Sequence, residues 1–192
     1  MNRESRRELL AFTLLLALGV LGRWAQPAWN FTPLAAIAAL GGYYFRGWLP
    51  TVLLPWAMLT ISDLVLLPHD NLWATLAVFA MALVPAAIGR SARAAGSAWR
   101  SAVCWGLCGF VPATLFFVVT NFAVWASKSL YLPTLAGLVE CYARALPFYR
   151  TMLAGDICYV AIAAACVAAA HVLEGPTTLA GARSLAEEPA SG

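Results

Sequence analysis

Long apolar stretches recur along the whole chain, and they constrain the fold more than any other feature. A helix that crosses a bilayer needs roughly 20 mostly apolar residues, and its backbone must be satisfied internally because hydrocarbon offers no partners. Six stretches approach that length, at residues 8–24, 32–46, 48–68, 71–89, 98–126 and 148–173. Only short polar breaks separate most of them, such as Arg46-Gly47, His69-Asp70-Asn71 and the segment 90–100 with its three arginines. Of 192 residues, 62% are hydrophobic and 11% are charged, whereas soluble domains carry about a quarter charged residues. A soluble fold of this size could not hide so much apolar surface. The expected architecture is therefore an all-α membrane protein, a bundle of about six transmembrane helices in one domain spanning 1–173. A disordered cytoplasmic tail is expected over 174–192, which is rich in Gly, Pro, Ala and Glu.

Details of the stretches refine this expectation. The first follows Arg3, Arg6 and Arg7, as a signal peptide would. No small-x-small cleavage site precedes a polar domain, so it reads as a retained helix. The second is short, which suggests tilt or a half-buried position. Residues 127–147 form the longest connection, within which Thr134 to Ala145 reads as a short helix at the membrane surface. Pro50, Pro55, Pro85 and Pro112 fall inside predicted helices and favour kinks there.

Basic residues set the orientation. With the N-terminus inside, the inner side holds Arg3, Arg6, Arg7, Arg46, Arg90, Arg93, Arg100 and Arg183. The outer side holds Arg23, Lys128, Arg144 and Arg150. This excess places both termini in the cytoplasm.

Small residues recur at helical spacing in the second stretch (Ala35, Ala38, Ala39, Gly42) and the sixth (Ala161, Ala165, Ala169). Such faces let helix backbones approach closely, either within the bundle or against a partner helix.

Several function classes are excluded by what the chain lacks. Net charge is +3 and scattered, which gives no footprint for nucleic acid. Cys104, Cys108, Cys141, Cys158 and Cys166 match no zinc or disulfide framework and read as small packing residues. No metal or cofactor is expected. There is no HExxH, GxSxG or Walker loop, and His69 and His171 fall near opposite membrane faces. Asp63, Asp156 and Cys141 form the only candidate set for chemistry on a lipid, and the chain is not expected to be an enzyme. A channel needs a continuous polar path, and the inner halves of these helices look dry.

The polar residues gather towards the outer side. Asn30 and Thr32 stand where the first outer loop meets the second helix, and Asp63 lies near the outer end of the third. Asn121 and Trp125 fall at the outer end of the fifth, and Tyr142 in the last outer loop. Asp156 lies about eight residues into the sixth helix, roughly 12 Å below its start. Ionisable groups inside membrane segments are costly and mark functional sites or ion pairs, for which Arg144 and Arg150 are candidate partners. Three stripes share a helical face at i, i+4 and i+7 or nearly so: Trp56, Thr60 and Asp63; Phe117, Asn121 and Trp125; and Met152, Asp156 and Tyr159. Mixed aromatic and polar stripes suit a small organic ligand. The expected substrate-binding residues are Asn30, Asp63, Asn121, Trp125, Tyr142 and Asp156. The alternative is a non-transport scaffold or assembly subunit that uses the alanine-rich faces.

Specific strings carry a resemblance. They are Asn30-Phe31-Thr32-Pro33-Leu34 with Gly41-Gly42-Tyr43-Tyr44; Ser62-Asp63-Leu64; Thr120-Asn121-Phe122-Ala123-Val124-Trp125; Cys141-Tyr142 with Ala145-Leu146-Pro147-Phe148; and Gly155-Asp156 with Tyr159. Over about residues 8–172 the chain resembles an uncharacterised family of small bacterial membrane proteins similar in fold to the S components, the substrate-binding subunits of energy-coupling factor (ECF) transporters. The resemblance implies a six-helix subunit that binds a vitamin-like ligand or metal complex near the outer face. It implies as partners a transmembrane coupling protein and two cytosolic ATPases, although some relatives stand alone. A cobalt-binding cysteine, as in a cobalamin-transporting group, would fall at Cys141 or Cys158. The alanine-x-x-x-alanine face that often docks S components is replaced here, since Leu15 follows Ala11 and Leu21 follows Ala17.

Overall fold

The computed structural model describes residues 2–66, 72–127 and 130–186, with side chains described as far as Leu173. His69, Asp70 and Lys128 lie outside the described residues. The described chain is helical: α1 (Arg3–Trp24), α2 (Leu34–Tyr44), α3 (Trp48–Ser62), α4 (Leu72–Met81), α5 (Leu83–Ala94), α6 (Ala98–Cys108), α7 (Val111–Ala126) and α8 (Leu135–Ala186). Taken as continuous apolar stretches, α4 with α5, α6 with α7, and α8 to Leu173 are long and apolar enough to cross a membrane. This points to a membrane protein. Helices α2 and α3, with 11 and 15 residues, reach only about 17 and 22 Å at 1.5 Å per residue. Helix α1 is long, but Arg7, Glu8 and Arg23 crowd the ends of its apolar run.

The surface agrees with an apolar surrounding. On α1, Leu9, Leu10, Leu14, Leu18 and Leu21 are 54–63% exposed. In water that row would be a large apolar liability. Only Gly19 and Val20 of this helix are buried.

Helix α2 sits at the centre, with Ala35, Ala36, Ala38 and Ala39 all at most 3% exposed. It packs most extensively on α5 and also touches α1, α3 and α8. The small residues make this possible. A Cβ on Gly42 would collide with the backbone of Ala86, and one on Gly89 with the backbone of Ala39. The two helices therefore cross antiparallel with backbone against backbone. The small-residue face of the second stretch is thus consumed inside the protein.

Two prolines break the long stretches where their missing N–H groups fall. Pro85 cannot donate to Met81, and α4 ends at Met81. Pro112 cannot donate to Cys108, and α6 ends at Cys108. Residues 71–89 and 98–126, expected as single helices, are each two segments. Pro50 and Pro55 leave α3 uninterrupted.

The last connection is shorter than expected. Thr134 Oγ1 accepts from Gly137 N at 3.2 Å and caps α8. The helix then runs through Pro147, so the surface helix expected at 134–145 and the sixth stretch are one element. An internal proline costs about 3 kcal/mol. Packing on α7 on both sides of Pro147 offsets this, with Tyr142 and Tyr149 each against Phe117 at ring centroid distances of 5.3 and 4.7 Å. The backbone of α8 is helical to Ala186.

Candidate functional site

A cavity of about 450 Å³ opens at one end of the bundle, at the size usual for small-ligand sites. Its floor includes Pro85, Pro112 and Ala113, so both proline breaks lie against it. The N-terminal end of α2 contributes Leu34 and Ala35. Aromatic wall comes from Trp29, Phe116, Phe117, Phe148 and Tyr149. Tyr149 is tied down through its hydroxyl, 3.1 Å from Thr114 Oγ1.

The loop between α1 and α2 forms one rim. Asn30 adopts a left-handed backbone, with φ 68°, which Asn tolerates better than most residues. Its N–H donates to Gln26 Oε1 at 2.9 Å. Gly155 of α8 lies against this loop, since a Cβ there would stand 3.2 Å from Phe31 Cα and from Thr32 N. That close approach sets the neighbouring Asp156 beside Asn30 and Thr32 on the cavity lining.

The charges are unequal. Arg23 Nη1 pairs with Asp63 Oδ1 at 2.9 Å, with both side chains mostly buried. Arg23 Nη1 also donates to Ser62 Oγ, and Trp24 Nε1 donates to Ser62 O at 3.2 Å. Arg23 Nε is buried without an acceptor among the described residues. Asp156 is 5% exposed, and no hydrogen bond or ion pair to it occurs among the described residues. With one arginine and two aspartates on the lining, Asp63 takes the arginine and Asp156 is left as a carboxyl group with no cation beside it among the described residues.

The structure brings four expected site residues together on this cavity: Asn30, Asp63, Asn121 and Asp156. Asn121 Nδ2 donates to Phe117 O at 2.7 Å, which leaves its Oδ1 as an acceptor. Trp125 and Tyr142 are not on the lining. Trp125 Nε1 donates to Leu132 O at 3.1 Å, and the Tyr142 hydroxyl donates to Val118 O at 2.6 Å. Both tie α7 to the start of α8, as membrane helices satisfy polar groups internally. Trp56 and Thr60 also turn elsewhere: Trp56 Nε1 donates to Phe79 O, and Thr60 Oγ1 to Trp56 O. Tyr159 packs on Phe31.

The expected ion pairs are different ones. Asp63 takes Arg23 rather than Arg150, and Arg144 takes Glu140 at 2.8 Å on an exposed face. Arg23, Gln26 and Tyr149 were not anticipated as lining residues. An arginine ending an otherwise apolar helix was the one usable signal for Arg23. Cys141 Sγ lies 3.4 Å from Asn121 O as a donor, and Cys158 is exposed. Neither cysteine lines the cavity, and no cluster of metal-ligating side chains occurs among the described residues.

A second cavity of about 1060 Å³ runs between α6 and α8 at the opposite end, near Tyr43, Arg93 and His171. Ala161 and Ala165 line it, so the small-residue face of the sixth stretch remains open. Tyr43 Oη lies 2.7 Å from His171 Nε2.

No curated protein and no solved structure matches the chain. A family of unknown function, DUF6580, matches residues 3–177, nearly the whole of the bundle that builds the cavity, and the chain belongs to that family.

Proposed function

We propose that this protein is a membrane-embedded substrate-binding or transport protein of the ECF S-component type. It takes a small vitamin-like ligand or metal complex into the cavity bounded by α1, α2, α3, α4, α5, α7 and α8. The observation that carries the reading is a cavity of about 450 Å³ whose lining combines aromatic walls with a buried Asp156 that has no partner among the described residues. Polar groups with no structural partner inside an apolar bundle are best understood as groups that wait for a ligand. In this reading all six helical stretches lie in the bacterial inner membrane with both termini cytoplasmic, and the cavity faces outwards. The partners are a transmembrane coupling protein and cytosolic ATPases, since the chain has no nucleotide-binding loop of its own.

The test is mass spectrometry of small molecules released from detergent-purified protein, run on wild type and on an Asn121→Ala, Asp156→Ala double variant of matched thermal stability. The expected result is a compound released by wild type and absent from the variant. If both release the same compounds, or neither releases any, the cavity is not the site.

One observation favours a second reading, a scaffold or assembly subunit. The exposed alanines of α8 border the open groove beside α6. That reading expects stable co-purification with a membrane partner, lost when Ala161 and Ala165 are both replaced by Leu, and no bound small molecule.

A further inference from the structure

We propose that the ligand of this cavity is an organic cation, a ring system bearing a protonated nitrogen, with Asp156 as its counter-charge. The inference rests on the ligand-binding reading above and goes further by naming the chemical class. An acid in an apolar bundle stays neutral while it is alone, and it takes its charged form when a cation enters to pair with it. Asp156 is 95% removed from solvent by its 5% exposure, lines the cavity and has no partner among the described residues. The one arginine on the lining is committed to Asp63 at 2.9 Å. Among the described residues no positive charge therefore stands next to Asp156, and the cavity is where one can enter.

The walls fit the same class. Trp29, Phe117, Phe148 and Tyr149 border the cavity, and aromatic faces attract organic cations as well as flat rings. Arg23 supplies a complementary feature at another part of the lining. Its buried Nε–H has no acceptor among the described residues, so it can donate to an oxygen or ring nitrogen of the ligand. The arrangement selects a molecule with a positive nitrogen for Asp156 and an acceptor for Arg23. A carboxylate ligand would suit Arg23 but would bring like charge towards Asp156.

Three probes of one shape separate the possibilities: tryptamine is a cation at neutral pH, tryptophol is uncharged, and indole-3-acetate is an anion. Binding of each to the full chain in lipid nanodiscs is measured by equilibrium dialysis. The expected result is that tryptamine binds at least about tenfold more tightly than the other two, as charge-assisted bonds imply. Asp156→Asn, which keeps shape and removes charge, should erase that preference and leave tryptophol unchanged. Arg144→Gln, outside the cavity, should leave all three as in wild type. Equal binding of the three probes, or preference for indole-3-acetate, overturns the cation assignment while leaving a ligand site in place. A tryptamine preference that persists in Asp156→Asn overturns the role of Asp156. If no probe binds wild type at millimolar concentration, while the release experiment above still yields a compound, the aromatic-amine class is wrong and the binding reading stands. If neither experiment detects a ligand, both fall.

Discussion

Valine at Gly42 or Gly89 is expected to eliminate folded protein. In a membrane the lipid is as apolar as leucine, so helices associate through close packing rather than by escaping water. The crossing of α2 and α5 depends on that packing most, because each helix places a glycine directly on the backbone of the other. A Cβ at Gly42 would meet Ala86 C at 2.8 Å and Ala86 Cα at 3.0 Å, and one at Gly89 would meet Ala39 C at 2.7 Å. Backbone cannot rotate aside as a side chain can, so the helices must separate. Overpacking ordinarily costs about 1–3 kcal/mol. Here the upper end or more applies, and it also exposes the tightly buried Ala38 and Ala39. The measurement is yield of monodisperse protein and its thermal midpoint in detergent. Gly106→Val is the control, since a Cβ at Gly106 meets nothing within 4 Å, and it should behave as wild type. Normal yield and midpoint for Gly42→Val would show that the α2–α5 crossing is not as close as described.

The Arg23–Asp63 pair carries the second large effect. It joins the end of α1 to the end of α3 across 40 residues of sequence, with side chains only 14% and 18% exposed. Removing one partner of a buried pair leaves the other charge uncompensated and costs about 3–5 kcal/mol, less where some water reaches it. Asp63→Ala and Arg23→Ala are each expected to destabilise by about 2 kcal/mol at this exposure. The double variant should lose clearly less than the two single losses together, because it leaves no orphan charge. Additive losses would mean that the two residues do not interact. Arg150→Ala, the partner suggested by topology alone, should change stability little, because Arg150 is exposed.

Part of this architecture was legible in the chain. The small-residue spacing of Ala35, Ala38, Ala39 and Gly42 announced a close helix crossing, since a 3.6-residue period places them on one face. The prolines announced weak points, although sequence could not say that Pro85 and Pro112 would break helices while Pro55 would not. That outcome depends on whether neighbouring packing holds the backbone straight. Pro147 shows the same limit in reverse: α8 continues through it because Tyr142 and Tyr149 both grip Phe117.

The candidate site divides in the same way. Asp156 and Asn121 stood out because polar groups are costly in apolar helices wherever those helices end up. Trp125 and Tyr142 share that level, but their donors are taken up by Leu132 O and Val118 O. Spacing along a helix says which residues share a face. It does not say which way that face turns.

The sequence by itself determined an all-helical chain built of stretches long and apolar enough for a membrane, because length and apolarity are properties of a chain read in one dimension. Only the tertiary structure decided that Arg23 neutralises Asp63 and that Gly155, pressed on the loop at Phe31, carries Asp156 onto the cavity lining with no partner among the described residues. A direct ion pair needs its nitrogen and oxygen within about 4 Å, and residues 40 positions apart reach such distances only when the helices pack.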